Sequence, residues 1–449
     1  MSGFLNSYSR GFERLLPSPM AIALVLTLVA FGFSLFGATA EESLIAWSDG
    51  LWNVTGLTFG FQAMYMLVLG HVLALSPPIK SALNFVAVYA VKTPKYAPAV
   101  VALIAMLLGW VNWGLGLVAG ALIAKVVIDK KVAHAGLVGA AGYMGLLVWH
   151  SGLSGSAPLK VAEDGHLADI YEKGVDWLPE SISISDTIFT SWNIGITVAV
   201  MVAIVGLFAV LGRHVENEEI EISDTDLHFI PVKGKLDSIA SFFDHSVFLP
   251  IIFGVLGLVV AVYLGRTYDG NSALGFVNPD WVNLVLFSLA LIFHKSIFNL
   301  VGALNKAIGG ASGILLQFPI YFGIMGIVTG TGLVDVLSGA FVSATSTGSL
   351  PFAIFSSSGI LNVFVPSGGG QWTVQGPLVL EACHAIGMTL EKGVMAMAYG
   401  DQWTNMLQPF WALPLLGITG LRARDILPYT LAAFLVSGVV FVIGLYLIF

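Results

Sequence analysis

Charge is what this sequence has least of. Only 10% of its 449 residues are Asp, Glu, Lys or Arg, against about 25% in soluble globular proteins. Hydrophobic residues make up 57% of the chain, and apolar stretches recur from end to end with one long polar interruption. These proportions exclude an ordinary soluble enzyme and predict one integrated membrane domain.

Cysteine and basic residues are also scarce. Cys383 is the only cysteine, so neither an intramolecular disulfide nor a site that needs several cysteine ligands can form. The 19 Lys and Arg residues against 27 Asp and Glu give a net charge of −8. This balance excludes the basic surface that nucleic-acid binding requires, so no nucleic-acid partner is expected.

The long apolar runs predict membrane-spanning helices, because a bilayer core about 30 Å thick takes about 20 apolar residues per helix. Nine crossings are expected, at residues 17–38, 51–75, 134–160, 184–210, 246–265, 280–300, 312–331, 393–418 and 426–448. Two further runs, 97–128 and 345–380, are too long for one crossing and carry polar residues, Pro and Gly near their middles. Each is typical of a re-entrant hairpin.

The distribution of Lys and Arg orients these helices, since basic residues favour cytoplasmic loops. With the N-terminus inside, 15 of the 19 basic residues fall on the cytoplasmic side, and only Lys160, Lys173, Arg266 and Lys392 fall outside. The C-terminus is then expected outside, in a multi-pass protein of the cytoplasmic (inner) membrane.

A hydrophilic stretch, 212–245, divides the chain near its midpoint and is predicted to be a cytoplasmic linker. Before it, in 1–211, the order is two helices, an amphipathic segment at 78–91, the first hairpin and two helices. After one extra crossing the same order returns in 246–449, with a second amphipathic segment at 334–344. The extra crossing makes the number of preceding crossings odd, so the second copy enters from the opposite face. This is the inverted-repeat plan of secondary transporters.

Four polar interruptions fall within apolar segments, one in each hairpin and one in the helix after each hairpin. They lie at 110–114, 150–155, 365–371 and 401–405, and they predict that the helices at 134–160 and 393–418 are broken. Backbone that is not helical survives at membrane depth only where it is buried in protein or lines a wet cavity. The interruptions therefore predict one shared site near the middle of the bilayer.

The second hairpin carries the candidate anion site. A helix start exposes N–H groups that attract anions, Gly allows a ligand to approach the backbone closely, and Ser367 adds a hydroxyl donor. The candidate substrate-binding residues are Asn112, His150, Ser151, Ser154, Ser367, Gly368, Gly369, Gly370, Gln371, Thr404 and Asn405. No Lys or Arg lies at an interruption, which favours a small monoanion. The alternative is that the glycines only permit tight packing or the hairpin turn.

Asp401 is the one acid predicted inside a crossing away from its ends, which makes it a functional candidate. With Thr404, Asn405 and backbone carbonyls it could bind Na⁺ as a coupling ion, since hard cations prefer oxygen ligands. It could equally carry a proton, because burial disfavours the charged form of a carboxyl group. A capping role at the N–H of Trp403 or Thr404 is the alternative.

His150 and several tryptophans lie at the same interruptions. His150 is expected to donate to a substrate carboxylate or to titrate near neutral pH, unless a backbone carbonyl satisfies it. The tryptophans beside the breaks either wall a small apolar cavity or pack in the ordinary way; they are Trp110, Trp113, Trp149, Trp372 and Trp403.

Three stretches resemble the AtoE family of short-chain fatty acid transporters. They are FVPSGGGQWTVQGPLVLEA from Phe364, WHSGLSGSAPL from Trp149 and GDQWTNMLQPFWALP from Gly400, and the resemblance covers essentially the whole chain. It implies membership of the ion transporter superfamily, with two re-entrant hairpins, two broken helices, a scaffold, a moving transport domain and commonly a homodimer. It also implies uptake of butyrate or acetoacetate coupled to H⁺ or Na⁺.

An elevator-type secondary transporter is thus the main interpretation, with no cofactor beyond the coupling ion and with the bilayer and a second copy as partners. A carboxylate channel is one alternative, since static hairpins can line a pore. An intramembrane serine protease is another, because residues 152–155 match a GxSG pattern and His71 or His294 could serve as the base. The protease does not explain the duplicated breaks.

Overall fold

The fold is built from helices. The computed structural model describes residues 19–163, 165–170, 176–217, 220, 231–232, 238–268, 276, 279–333 and 348–448. Across these ranges the regular structure is helical, without a strand, which confirms the predicted all-α class. Half of the 212–245 linker and all of the second amphipathic segment, 334–344, lie outside the described residues.

The first half contains ten described α-helices. They are α1 (Pro19–Ser34), α2 (Ala40–Leu51), α3 (Val54–Leu75), α4 (Pro77–Lys92), α5 (Ala97–Val111), α6 (Trp113–Asp129), α7 (Ala135–Tyr143), α8 (Ser156–Lys160), α9 (His166–Ile170) and α10 (Ser191–His214). Local sequence explains where they begin. Thr39 forms a capping box with Glu42 before α2, and the Asn53 side chain accepts a hydrogen bond from the Gly56 N–H in α3. The predicted amphipathic segment at 78–91 is the helix α4.

The second half also contains ten described α-helices. They are α11 (Ile239–His245), α12 (Phe248–Thr267), α13 (Pro279–His294), α14 (Ile297–Ala307), α15 (Ser312–Gly330), α16 (Leu350–Phe364), α17 (Gly368–Ile386), α18 (Leu390–Thr404), α19 (Pro409–Thr419) and α20 (Ala423–Ile448). The helix expected at 280–300 ends early, at His294. Lys295 takes a positive φ of 60°, and Ser296 caps the next helix, because a side chain in the left-handed region does not continue a helix.

Four described helices are long and apolar enough to cross a membrane. They are Pro94–Val111, Ser191–His214, Phe248–Thr267 and Ala423–Ile448. Shorter apolar helices of 10–17 residues include Ala135–Leu147, Leu350–Phe364 and Phe410–Thr419, which adjoin the hairpin turns and the breaks. Most large side chains of α12 are exposed and apolar, as expected of a helix in contact with lipid. The expected total of nine crossings stays a prediction.

Each predicted hairpin consists of two helices joined by a short polar turn. α5 and α6 pack against each other on either side of Asn112, whose side-chain oxygen accepts a hydrogen bond from the Leu115 N–H at 2.9 Å. Ser367 caps α17 by accepting from the Gly370 N–H at 3.2 Å. Each turn thus supplies the acceptor that the first turn of the returning helix needs.

Both predicted broken helices are interrupted in the structure. After α7, a 3₁₀ turn at Met144–Leu147 leads into a non-helical segment, 148–155, before α8 begins. After α18, a 3₁₀ turn at Asn405–Leu407 and the extended residue Gln408 precede α19. The helical hydrogen-bond ladder is therefore open at each break, where side chains or ligands must satisfy the free backbone groups.

Glycine lets the second hairpin touch the second broken helix along the backbone. A Cβ placed on Gly400 would lie 2.1 Å from the Phe355 carbonyl oxygen. Beside this contact, Ser358 Oγ donates to the Met397 carbonyl at 2.7 Å. α16 and α18 therefore form one tightly packed pair, which places Asp401 in the interior of the protein and not against lipid.

Candidate functional site

The two broken helices meet through one pair of side chains. His150 Nδ1 lies 2.9 Å from Asp401 Oδ1, although 251 residues separate them in the sequence. The His150 side chain is fully buried and that of Asp401 is 1% exposed. The interruption at 150–155 and the interruption at 401–405 are thus joined at a buried contact between an imidazole and a carboxylate.

The second ring nitrogen of His150 decides where the proton lies. His150 Nε2 is 3.0 Å from the Ala157 backbone nitrogen, and a backbone N–H can only donate. Nε2 must therefore accept, which leaves the ring proton on Nδ1, where it is donated to Asp401 Oδ1. The imidazole is neutral in this conformation, and neither ring nitrogen is left for a substrate.

Gln402 orders the backbone at the start of the first break. Its Oε1 accepts from the N–H groups of His150 and Ser151, each at 3.0 Å. The Ser151 carbonyl accepts from Asn193 Nδ2 at 3.0 Å, and the Tyr399 hydroxyl donates to Asn193 Oδ1 at 2.8 Å. α10 and α18 together hold the non-helical segment in a single conformation.

Asn362 hydrogen-bonds to the residues at the second break. Its Nδ2, which carries two hydrogens, lies within hydrogen-bond distance of three oxygens: the Asp401 carbonyl at 2.7 Å, Asn405 Oδ1 at 2.8 Å and Thr404 Oγ1 at 3.0 Å. Thr404 and Asn405, two of the candidate ligands for a coupling cation, thus face an amide nitrogen of the second hairpin. The hairpin supplies the donor that the open end of α18 requires.

Several residues beside the two breaks carry a buried oxygen without a partner in the described part of the chain. Four such atoms have no hydrogen-bond partner among the described residues: Asp401 Oδ2, Asn362 Oδ1, Gln371 Oε1 and Gln408 Oε1. The three amides are not reversed, because each amide nitrogen donates to a backbone carbonyl, which can only accept. An unsatisfied buried carboxylate oxygen such as Asp401 Oδ2 is suited to a cation or a proton.

A small cavity lies beside the imidazole and carboxylate pair. Its volume is about 50 Å³, and its lining residues are Trp113, Leu146, Trp149, Ser156, Ser367, Gly368, Gly369 and Trp411. The start of α17 abuts His150, since a Cβ placed on Gly368 would lie 2.7 Å from both His150 Cε1 and the Trp149 ring. The His150 side chain thus lies between Gly368, which lines the cavity, and the carboxylate of Asp401.

The structure brings only some of the candidate substrate residues to this cavity. Ser367, Gly368 and Gly369 line it. Gly370 donates to Ser367, Gln371 bonds to Ser358 and Gln375, and Ser151 donates to the Val148 carbonyl. Asn112 caps α6, and Ser154 Oγ accepts from the Trp113 N–H at 2.9 Å.

The tryptophans divide in the same way. Trp113 and Trp149 line the cavity, whereas Trp403 stacks on Phe434 and donates to its carbonyl. Trp372 donates to His166, and the Trp110 carbonyl accepts from the Leu153 N–H.

Sequence reasoning missed four residues of the site, namely Asn362, Gln408, Ser156 and Trp411. Asn362 is a buried polar residue in an apolar helix, a pattern that was visible in the sequence. Trp411 follows the proline that restarts the helix after the second break. Its place in the cavity depends on how α19 packs against α6.

Comparison with known proteins decides the family. A model for short chain fatty acid transporters matches residues 4–448. The chain belongs to this family. This membership supports transport across a membrane by a multi-pass protein of apolar helices. Among the described residues no histidine hydrogen-bonds to Ser154, the serine of the GxSG pattern.

Two relatives of this family member cover nearly its whole length. A protein of Escherichia coli (strain K12) is 37% identical over 453 residues, covering 99% of both chains. A protein of Haemophilus influenzae is 34% identical over 458 residues, covering 99% of this chain and 98% of its own. Both carry the name "Putative short-chain fatty acid transporter".

Two solved structures show a more distant likeness to this family member. The YdaH transporter of Alcanivorax borkumensis, described as having an unusual topology, is 14% identical with a TM-score of 0.41, over 95% of this chain and 98% of its own. MtrF of Neisseria gonorrhoeae, described within a class of antimetabolite efflux pumps, is 12% identical with a TM-score of 0.42, over 98% and 97%. Likeness at this level carries no conclusion about function.

Proposed function

We propose that the protein is a secondary active transporter of short-chain monocarboxylates such as butyrate or acetoacetate, with a coupling cation bound at Asp401. The observation that carries the proposal is that the His150 side chain lies between a buried, half-satisfied carboxylate and Gly368, which lines a small cavity at a helix start. A charged solute and a cation bound at two sites this close together interact electrostatically. Family membership supplies the substrate class.

The substrate carboxylate binds at the start of α17 in this proposal. Ser367, Gly368 and Gly369 line the cavity there, and the first N–H groups of a helix together with its dipole favour an anion. The remaining candidates, among them Asn112, Ser151, Ser154 and Gln371, support the two breaks through the hydrogen bonds described above. No basic side chain lines the cavity, which suits a single negative charge.

The coupling cation binds at Asp401 Oδ2. Oδ1 already accepts a hydrogen bond from His150, so an arriving proton or sodium ion would bind at Oδ2, which has no partner among the described residues. Without the cation, the charge of Asp401 opposes a second anion next to His150. Loading the cation removes this repulsion, which couples solute binding to ion binding.

The proposed mechanism is alternating access by an elevator-type motion. The order of hairpin, broken helix and long helix in 1–211 recurs in 246–449, and this order supports an inverted repeat whose hairpins are re-entrant. The hairpins and broken helices form the moving part, while the other helices form the scaffold of a homodimer. The N-terminus is cytoplasmic, the linker 212–245 lies on the same side, and the C-terminus lies outside the cytoplasmic membrane.

Purified protein in proteoliposomes tests the proposal. Labelled butyrate and acetoacetate are offered under a Na⁺ gradient and a pH gradient imposed separately, and accumulation above the external concentration is expected with one of them. Because undissociated acids cross lipid unaided, liposomes without protein are measured in parallel, and the counterflow of preloaded substrate is followed without any gradient. Equilibration without accumulation would favour a channel, and rates equal to those of empty liposomes would refute transport of these acids.

A further inference from the structure

The small cavity at the start of α17 has a lining of two chemical kinds. Its polar groups belong to Ser156, Ser367 and the backbone of the glycines Gly368 and Gly369. Its apolar groups are Leu146 and three indole rings, those of Trp113, Trp149 and Trp411. We call these three rings the indole cage. A lining that combines polar and apolar groups matches a molecule with one charged group and a hydrocarbon tail.

Trp149, which lines this cavity, has an unused hydrogen-bond donor. The residue is 4% exposed, and its Nε1–H is buried without an acceptor among the described residues. Its ring stacks on His150 with 4.5 Å between centroids and lies against Gly368, so it has little freedom to turn towards another partner. An unmet buried N–H is costly, and a carboxylate in the cavity would remove that cost.

The cavity is too small for a long chain. About 50 Å³ corresponds to roughly three to five water-sized groups, which is close to the roughly six non-hydrogen atoms of a four-carbon acid and well below the roughly ten of an eight-carbon acid. Trp113 and Trp411 pack edge to face at 5.3 Å, and Trp411 is fixed in turn by an edge-to-face contact with Phe410 at 5.1 Å. The wall is therefore made of rings that hold one another, and it yields little to a longer substrate.

We propose that Trp149 Nε1 donates a hydrogen bond to the substrate carboxylate and that Trp113 and Trp411 limit the tail to about four carbons. This inference rests on the proposed function, which it deepens by assigning the donor and the length limit. The carboxylate lies beside Trp149 and the start of α17, and the tail points towards the other two rings of the indole cage.

The donor is tested with Trp149→Phe, which keeps the ring and removes the N–H. Binding of unlabelled acetate, propionate, butyrate, hexanoate and octanoate is measured in nanodiscs by competition with labelled butyrate. Loss of a hydrogen bond to a charged group predicts affinities about 10- to 100-fold weaker, with the preference for short chains unchanged. Trp47→Phe is the matched control, since Trp47 Nε1 is also buried without a partner among the described residues but lies against Gly323 of α15; it is expected to bind as the unaltered protein does.

The length limit is tested with Trp411→Leu and Trp113→Leu in the same assay. The unaltered protein is expected to bind hexanoate at least about 10-fold more weakly than butyrate, and each variant is expected to bring the two affinities together or reverse them. Trp281→Leu, on α13 away from the cavity, should leave the ratio unchanged. An unchanged ratio in folded cage variants, or unchanged affinity in Trp149→Phe, overturns the inference. Absence of butyrate binding to the unaltered protein would instead contradict the proposed function.

Discussion

Burying a carboxylate or an imidazole inside a membrane protein costs free energy. The hydrogen bond between the two groups satisfies only part of their hydrogen-bonding capacity. His150 uses both ring nitrogens, one towards Asp401 and one towards the Ala157 N–H. Asp401 keeps one oxygen without a partner among the described residues. The unmet capacity of the pair thus lies on the acid, and a change at that single oxygen is the most direct test of ion coupling.

Asp401→Asn is expected to abolish accumulation of substrate against a gradient, because an amide carries no charge for a proton or Na⁺ to neutralise. Exchange of internal for external substrate should persist, since the asparagine oxygen can still accept from His150 Nδ1. The measurement is the ratio of internal to external labelled acid in proteoliposomes, which should fall to that of protein-free vesicles.

Asp425→Asn is the control for that change. Asp425 is also buried, at 3% exposure, but it accepts hydrogen bonds from Arg422 away from the candidate site. Accumulation by Asp425→Asn should persist. If Asp401→Asn also accumulates substrate as the unaltered protein does, Asp401 does not hold the coupling ion.

At the scale of elements, the site depends on how closely the second hairpin approaches the second broken helix. The Asn362 amide nitrogen of α16 shares its two hydrogens among three oxygens at the end of α18, and Gly400 lets the two backbones touch. Hairpin and broken helix therefore behave as one packed unit. The packing has to form before the candidate ion site can exist.

Gly400→Ala is expected to destabilise the protein by about 1–3 kcal/mol or more, because the added Cβ meets the Phe355 carbonyl oxygen at 2.1 Å and neither backbone can move alone. The midpoint of thermal unfolding in detergent, followed by size-exclusion chromatography, should fall. Gly32→Ala in α1, where a Cβ would meet nothing within 4 Å, should leave the midpoint unchanged or slightly raised. Equal midpoints for both variants would show that the two elements are not tightly packed.

At the scale of the whole molecule, the arrangement of the chain across the membrane remains a prediction from the basic residues. Lys160 is expected outside and Lys130 inside, and both are exposed. Replacing the only cysteine as Cys383→Ser gives a background for single cysteines, and Cys383 itself is buried. Lys160→Cys should react with an impermeant maleimide in intact cells, whereas Lys130→Cys should react only after permeabilisation. The reverse pattern would invert the topology, and labelling of both in intact cells would contradict the predicted number of crossings.

Much of this molecule follows from short-range information. Hydropathy predicts where apolar helices run, and the polar residues Asn112 and Ser367 mark the turns of the two helix pairs, since each caps the helix that follows it. The interruption at 150–155 likewise appears as a break in the structure, whereas the one expected at 401–405 lies slightly later, at 405–408, because the helix continues to Thr404. The motifs around Trp149, Phe364 and Gly400 were sufficient to indicate the family that the comparisons establish.

Which side chains contact each other in the site depends on how distant parts of the chain pack. His150 and Asp401 were separate candidates in the sequence, and their contact across 251 residues depends on both breaks facing inward together. The same packing brings Trp411 to the cavity, directs Asn362 to Thr404 and Asn405, and leaves Trp403 stacked elsewhere. Helix period, capping and hydropathy act over a few residues, whereas the direction in which two distant helices present their side chains is fixed by how all of the helices pack. For this reason the sequence determined the class, the elements and the family, and the fold alone determined which side chains meet.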